Sequence, residues 1–348
     1  ALGTGSFASA DVGKTIEANS GAFVLTATSG SYVQTTAPTS FNQVASGSWG
    51  MFGVVYNTTD GDLELSSYIG GYYDIANSAY SNNSLTVSYG NTTGTFISSD
   101  GTKLYILGES NEIVLQYALS TPFDPSSGAF VYGLNIAPQG SVWRDLTFNN
   151  DGTKMYLCSE AQIFTFALAT PWVISSTANP VNRSFPTSST IQGFCFNSDG
   201  SKLYTVSSGN RRVYENNLSA PFNPQFSIIE TTSFSVVSQT TNPRGIRFNS
   251  DGTKMFIMGK SGITGVIQYD LSSAFVVSPA SASYNGVSFN VQSQENDPEG
   301  FVFNTDGSKM YVIGEDSTVY EYGTLSFGFP TGYQPVHTTA STDTTYWT

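Results

Sequence analysis

One turn recurs five times along this chain, and it constrains the fold more than any other feature. An Asp-Gly pair stands at Asp100-Gly101, Asp151-Gly152, Asp199-Gly200, Asp251-Gly252 and Asp306-Gly307, at spacings of 51, 48, 52 and 55 residues. The copies have similar contexts, as in FNSDGTKMFIMG at residues 248–259. A period near 50 residues is typical of architectures in which each repeat is one supersecondary unit.

The residue types of this turn have a stereochemical reason. In Asn249-Ser250-Asp251-Gly252 the first side chain can accept a local hydrogen bond and the glycine can adopt a positive φ, which predicts a hairpin loop built on a type I turn. The first copy is the most divergent, with Ile97-Ser98 in place of Phe-Asn. We interpret the aspartates as turn residues, because the spaced carboxylates of a calcium loop are missing. The lysine after each turn is expected to be a solvated strand end.

The segments around each turn predict four strands per repeat. A short strand such as GIRF precedes the turn and an apolar strand such as MYVI follows it. Strands of the VIQYDL and YNGVSFNV types complete the unit. Four antiparallel strands in about 50 residues, covered on both faces by neighbours, predict an all-β fold built around a β-propeller.

The ends of the array predict how the ring closes. The last repeat stops after three strands near Leu325, whereas the strand-like SLTVSY at 84–89 precedes the first Asp-Gly pair. That piece can supply the missing fourth strand and remove both exposed sheet edges. The prediction is a five-bladed propeller over residues 76–327. The alternative is a longer ring completed by another chain or by further sequence.

Residues 1–70 and 328–348 do not carry the repeat. The first segment alternates short β-like runs with Gly, Ser and Asn turns, which predicts a small N-terminal β domain for attachment or oligomerisation. The second segment has Pro, Gly and Thr without a period. We expect it to be an irregular linker toward further sequence.

Composition disfavours several classes of partner. The formal net charge is −13, from 13 Lys+Arg against 26 Asp+Glu, without a basic run, so nucleic acid is not an expected partner. No apolar stretch approaches the roughly 18 residues of a membrane span, so no membrane insertion is expected. Cys158 and Cys195 lie in predicted strands without a CxxC motif and are interpreted as buried thiols. No metal or cofactor is predicted.

The repeat, with stretches such as DGTKMY and LQYALSTPFD, resembles the propeller repeats of large structural proteins of tailed bacteriophages, marine ones in particular, over residues 84–325. DVGKTI at 11–16 and ASGSW at 45–49 resemble a small β module of phage tail-associated proteins. The resemblance implies a non-enzymatic virion protein, part of a tail, fibre or appendage, located in the virion or outside the cell. Its implied partners are other virion proteins, further copies of itself and a host-surface glycan. Turn motifs similar to FSPDGK also occur in bacterial periplasmic propellers and in propeller enzymes.

Catalysis is a less favoured hypothesis. The one histidine, His337, lies outside the predicted propeller, so a Ser-His-Asp or Cys-His arrangement within the propeller is not expected. Five-bladed glycosidases place paired carboxylates on the innermost strands. Here the residue four before each strand-ending aromatic or Ile97 is Thr93, Arg144, Gln192, Arg244 or Glu299, with Asp145 beside Arg144. The two carboxylates are the minimum for that chemistry, and no catalytic residue is assigned.

The same positions predict a binding face opposite the Asp-Gly turns. The candidate residues are Arg144, Asp145, Gln192, Arg244 and Glu299, together with Arg211, Arg212 and Glu315 on loops between second and third strands. Polar groups near Tyr and Trp suit sugar recognition. Three hypotheses follow: a virion structural protein, a secreted or surface bacterial lectin or adhesin, and a glycan-cleaving enzyme. We favour the first.

Overall fold

The computed structural model describes residues 73–323, apart from 141, 179, 185–189 and 225–227, and short strands near both ends of the chain. The chain divides into two compact units. The larger unit is Tyr72–Leu325, and the smaller one combines Ala1–Gly71 with Ser326–Thr348. His337 and much of residues 1–70 lie outside the described residues.

The described strands of the smaller unit form two three-stranded sheets. One sheet contains β1 (Thr15–Ala18), β2 (Gly21–Ser29) and β3 (Tyr32–Thr35). The other contains β4 (Gly53–Asn57) and β5 (Leu63–Ser66), with the last described strand, β26 (Tyr333–Pro335), on the free edge of β4. The segment expected to be irregular, 328–348, therefore contributes a strand that pairs antiparallel with β4.

The larger unit is a five-bladed propeller, and each blade is a four-stranded antiparallel sheet. Blade one contains β7 (Thr92–Ile97), β8 (Lys103–Gly108), β9 (Ile113–Leu119) and β10 (Gly128–Asn135). Blade two contains β11 (Trp143–Phe148), β12 (Lys154–Ser159), β13 (Gln162–Ala167) and β14 (Val181–Ser184). Blade three contains β15 (Ile191–Phe196), β16 (Lys202–Ser207), β17 (Arg212–Leu218) and β18 (Ile228–Ser235).

The remaining two blades show how the ring is completed. Blade four contains β19 (Pro243–Phe248), β20 (Lys254–Gly259), β21 (Gly265–Leu271) and β22 (Ala282–Asn290). Blade five contains β23 (Pro298–Phe303), β24 (Lys309–Gly314) and β25 (Thr318–Gly323), and its outer strand is β6 (Ala79–Thr86) from before the repeats. Single 3-10 turns lie at Ile75–Asn77, Pro125–Ser127, Ala137–Gln139 and Ile174–Ser176.

Closure by an N-terminal strand is confirmed. Strand β6 pairs with β25 from Ala79 opposite Gly323 to Thr86 opposite Thr318. The strand therefore begins before the predicted SLTVSY and ends at Thr86. Blade five also meets blade one directly, where the Thr92 hydroxyl donates to the Gly314 carbonyl at 2.7 Å. The alternative of a longer ring is not realised, because both edges of the array are paired within this chain.

Each Asp-Gly turn is a compact hydrogen-bonded unit. In every copy the aspartate carboxylate accepts from the N–H two residues later at 2.8–3.0 Å. The Asn side chain accepts from the N–H of the lysine five residues later, as in Asn249 and Lys254 at 2.9 Å. In the divergent first copy the Ser98 hydroxyl replaces the amide and accepts from the Lys103 N–H at 2.9 Å. Turn geometry therefore accounts for the repeated aspartates.

An aromatic ring covers the glycine of each turn. The glycines have φ of 70–72°, and a Cβ on any of them would lie 2.2–2.5 Å from a ring atom. In chain order of the turns the covering residues are Phe123, Trp172, Phe222, Phe275 and Tyr73. Each of them also has a positive φ, and its N–H donates to the glycine carbonyl at 2.8–2.9 Å. Glycine is required here both for its φ and for the space under the ring.

A tyrosine hydroxyl then links each of four blades to the next one. Tyr105 donates to the carbonyl of Trp172 at 2.6 Å. The equivalent bonds join Tyr156 to Phe222, Tyr204 to Phe275 and Tyr311 to Phe123 at 2.6–2.8 Å. The fifth interface has Phe256 in the tyrosine position, and its ring stacks on Tyr73 with centroids 6.1 Å apart. The interface between blades four and five therefore lacks this bond.

The lysines that follow the turns are not simply solvated. Lys202 pairs with Glu215 at 2.7 Å and donates to the Phe275 carbonyl at 3.0 Å. Lys309 pairs with Glu321 at 3.1 Å and makes the same main-chain contact in the next blade. The expectation of solvated strand ends is wrong for these two lysines, because each joins its own blade to a neighbouring one.

Candidate functional site

The predicted binding face is built on a β-bulge that recurs in all five inner strands. The pairing register shifts at Thr93, Arg144, Gln192 and Glu299, and across Arg244-Gly245 in blade four. These are the same five positions that the sequence placed at the face. A bulge leaves one residue unpaired and redirects its side chain. We call the surface formed by these side chains and the loops between second and third strands the charged face.

On one side of the charged face, Arg144 joins blades one and two. Its Nη1 lies 3.1 Å from Glu109 Oε1, and its Nη2 lies 2.9 Å from Glu160 Oε1. Thr93 is buried beside it and donates its hydroxyl to the Trp143 carbonyl at 3.1 Å. The arginine side chain is only 16% exposed. Two carboxylates from different blades thus neutralise a guanidinium that is mostly shielded from solvent.

On the other side, a larger network joins blades three, four and five. Arg244 Nε lies 3.2 Å from Glu299 Oε2, and Arg244 also donates to Gln192. Lys260 lies 2.7 Å from Glu299 Oε1 and 2.6 Å from Glu315 Oε1. Burial alone would lower the pKa of Lys260, but its bonds to Glu299 and Glu315 raise the pKa above its ordinary value. The network thus keeps the amine charged.

In the two ion-pair networks of the charged face, several carboxylates reach solvent while the cations are mostly buried. The arginine and lysine side chains of the network are 14–16% exposed, whereas Glu160, Glu315 and Asp297 are 40–54% exposed. The predicted Gln192, Arg244, Glu299 and Glu315 are brought together in one network through Lys260. The predicted Arg144 lies in the other network, where it binds Glu109 and Glu160. This arrangement stabilises the junctions between blades.

Asp145 does not lie on the charged face. Its side chain is buried, and its carboxylate accepts from the N–H groups of Leu146 at 2.8 Å and Phe194 at 3.2 Å. Arg247 donates to the same carboxylate at 2.9 and 3.0 Å. The bulge at Arg144 turns that residue outward and leaves the next one facing the neighbouring inner strands. The other blades have glycine in this position: Gly94, Gly193, Gly245 and Gly300.

The two loop arginines make weaker and more local contacts. Arg211 is exposed, has a φ of 54° and donates to the Thr241 carbonyl at 3.4 Å. Arg212 is half-buried and donates to the hydroxyl and carbonyl of Ser233 on β18, the outer strand of its own blade. Neither arginine is part of the two ion-pair networks. Arg211 is the more accessible cation of the two.

The glycan-cleavage hypothesis depends on two carboxylates, Asp145 and Glu299. Each is at most 5% exposed and is bound by basic side chains. The acid and the nucleophile or base of a glycosidase must both reach the scissile bond. Asp145 faces the strands around the axis, so this residue and Glu299 do not form such a pair.

Among the described residues, the cysteines and the possible metal ligands do not form a further candidate site. Cys158 and Cys195 are buried free thiols, and burial raises the pKa of Cys195 to about 12. Within the described ranges, no group of three or more His, Cys, Asp or Glu side chains is arranged to hold a metal ion. The same part of the chain contains no helix long and apolar enough to cross a membrane.

Sequence reasoning missed two residues of these networks, Arg247 and Lys260. Both could have been found by aligning the five blades. Arg247 occupies the position before the strand-ending residue, where the other blades have Phe96, Thr147, Cys195 and Val302. Lys260 occupies the position just after the second strand, where other blades have Glu109, Glu160 and Glu315. In both cases, one blade has a cation at a position where the equivalent residues of the other blades are neutral or acidic.

Comparison with known proteins gives a likeness of fold alone. No protein-family profile and no curated protein sequence matches this chain. Among similar solved structures is a functionally unknown protein from Desulfotomaculum acetoxidans DSM 771. It is 16% identical over 71% of this chain and 70% of that chain, with a TM-score of 0.40.

Proposed function

We propose that this chain is a non-enzymatic structural protein of a tailed-bacteriophage virion, a component of a tail, fibre or other appendage. Its propeller is displayed for contact with a host surface or with other proteins. The smaller unit serves attachment and assembly with other virion proteins or with further copies of itself. The repeat and the N-terminal motifs that resemble those of phage structural proteins support this proposal.

The observation that carries the proposal is the pairing of β26 with β4. Tyr333–Pro335 aligns with Val55–Asn57, so strands from before and after the propeller share one sheet. The propeller is thus an insertion, in sequence, within a second β unit. A propeller inserted in this way suits a displayed module, because the unit that flanks it in sequence can assemble by itself.

The character of the charged face is consistent with a displayed scaffold. Arg144, Arg244 and Lys260 tie neighbouring blades together. The partner carboxylates Glu160, Asp297 and Glu315 reach solvent. Rigid scaffolds with varied loops are a common way to present a recognition surface.

The proposal is tested by asking where the protein resides. Virus particles are purified by density gradient from a culture that produces this chain and are analysed by mass spectrometry and by antibody labelling in the electron microscope. Peptides that copurify with particles, and label on a tail or appendage, are expected. Recovery only as free protein, with unlabelled particles, would overturn the proposal and favour a secreted lectin or adhesin.

Assembly is tested separately by light scattering. The full chain is expected to form an oligomer, and a version limited to residues 72–325 is expected to be a monomer with the same β-rich circular dichroism. A monomeric full chain would remove the assembly role that we assign to the smaller unit.

A further inference from the structure

A concave surface lies at the end of the propeller opposite the charged face, where the five Asp-Gly turns surround the axis. Its volume is about 440 Å³. Small-molecule sites typically have volumes of a few hundred Å³ or more. We call this surface the axial bowl. None of the residues predicted as a binding face lies in it.

Aromatic rings form the wall of the axial bowl. The ends of the inner strands contribute Phe96, Phe148, Phe196, Phe248 and Phe303, and the rings that cover the turn glycines contribute Trp172, Phe222, Phe275 and Tyr73. Several of these rings, including Phe96, Trp172 and Phe222, are partly exposed. Trp172 lies 5.3 Å from Phe148 and 6.2 Å from Phe96 between ring centroids. Rings of blades one and two therefore pack against each other in this wall.

The rim of the axial bowl consists of neutral polar side chains. The residue before each turn aspartate is exposed and carries a hydroxyl or an amide: Ser99, Asn150, Ser198, Ser250 and Thr305. Asn150 donates to the Ser198 carbonyl and Thr305 to the Ser99 carbonyl, each at 2.7 Å. These bonds hold adjacent turns together. Among the described residues, no partner is seen for the hydroxyls of Ser99 and Ser198.

The lining is electrically neutral in a chain whose net charge is −13. Its one charged side chain is Arg247, and Asp145 matches that charge through two hydrogen bonds. The carboxylates of the five turns do not line the bowl. A charged ligand would lose hydration without meeting an opposite charge, so the lining favours a neutral ligand.

We propose that the axial bowl binds a neutral sugar residue. A pyranose ring has an apolar C–H face that fits an aromatic wall, and its hydroxyl groups match the serine hydroxyls and the amide of the rim. This inference deepens the proposed function, since it rests on the recognition role and names the ligand class and the surface. It moves sugar recognition from the charged face to the opposite end of the propeller.

The test uses the full chain and an array of neutral and anionic oligosaccharides. Neutral sugars are expected to bind, and the strongest of them is then titrated calorimetrically. Ser99→Tyr and Ser198→Tyr place a large side chain on the rim and should each weaken binding at least tenfold. Ser110→Tyr is the matched control, because Ser110 is an exposed loop residue between β8 and β9 at the other end of the blade.

A spectroscopic measurement makes the test independent of the rim variants. Trp172 lines the bowl, whereas Trp143 is fully buried in the core. The neutral sugar should change the fluorescence of the wild-type chain, and Trp172→Phe should remove that change. Phenylalanine is the residue found at this position in three other blades, so this variant keeps the ring that covers the glycine.

Several outcomes would overturn the inference. They are the absence of binding to any neutral sugar, binding restricted to anionic sugars, and binding unaffected by Ser99→Tyr, Ser198→Tyr and Trp172→Phe. Weaker binding in Ser110→Tyr alone would return the site to the charged face. Each result can be told apart from failure of the virion assignment, because particle composition is measured without any sugar.

Discussion

Arg247 in blade four holds Asp145 in blade two through a paired contact, with Nη1 2.9 Å from Oδ2 and Nη2 3.0 Å from Oδ1. Both side chains are less than 10% exposed. Arg247→Met should leave a buried carboxylate without its counter-charge and destabilise the propeller by about 3–5 kcal/mol. The shift in the urea unfolding midpoint measures this cost.

A double variant separates loss of the pair from loss of packing. Asp145→Gly introduces the residue that the other four blades have, so it should relieve part of the damage caused by Arg247→Met. The double variant is expected to be more stable than Arg247→Met alone. Additive destabilisation would show that the two residues act independently.

The tyrosine hydrogen bonds between blades predict how the stability of the propeller changes when the hydroxyl is removed or added at each interface. Tyr105→Phe, Tyr156→Phe, Tyr204→Phe and Tyr311→Phe each remove one hydroxyl from a carbonyl in the next blade, and each should cost about 1 kcal/mol. Phe256→Tyr should have the opposite effect, because it can donate to the Tyr73 carbonyl. Thermal unfolding of the five variants tests the series. A destabilised Phe256→Tyr would show that the fifth interface has no room for the hydroxyl.

Substituting a turn glycine that lies under an aromatic ring should destabilise the propeller by more than the backbone strain alone. Gly152→Ala combines a φ of 70° with a Cβ only 2.2 Å from the Trp172 ring, and it should cost more than about 2 kcal/mol. Gly286 has a φ of 92° but open space around it, so Gly286→Ala should cost only about 1 kcal/mol. Gly90→Ala, also in open space, should be neutral. Equal costs at Gly152 and Gly286 would leave no role for the ring.

Stability should fall between mildly acidic and neutral pH because of Glu295. Burial, and then a hydrogen bond with the Asp316 carboxyl, raises the pKa of Glu295 from 4.5 to about 7. The folded chain therefore binds this proton more tightly than the unfolded chain. The resulting stability is fully present below pH 4.5 and is lost as the pH rises to about 7, by about 3 kcal/mol at most.

Glu295→Gln provides the corresponding control. The variant should match the wild-type chain near pH 4.5 and exceed it in stability at pH 8, where the wild-type chain carries a buried charge beside Asp316. Urea unfolding across this range measures the difference. Parallel profiles for the two proteins would show that another group causes the loss of stability.

The sequence was enough to predict the propeller because its signals are local and repeated. The Asp-Gly turn sets a hairpin wherever it occurs, and a strand left over before the first repeat needs a partner after the last. The covering aromatics were less accessible to sequence reasoning. Phe123, Trp172, Phe222 and Phe275 lie after the third strands, whereas Tyr73 stands ahead of the whole array and meets Gly307 only once the ring has closed.

The site was predicted less fully than the fold. The bulge positions were identified as a set, because their spacing from the strand end is constant. The direction of each side chain was not, since Asp145 is adjacent in sequence to Arg144 but faces the inner strands. The axial bowl was also missed, because its wall combines core aromatics from all five blades and no single repeat contains it.

The pairing of β6 with β25 has a mechanical consequence. Strand β6 begins at Ala79 and strand β25 ends at Gly323, and these two residues are opposite one another in blade five. Tension applied at these two residues would load the antiparallel hydrogen bonds one after another from that end, as in opening a zipper. Blade five is therefore where the ring would yield first to a pulling force, while the other four blades would keep their internal pairing.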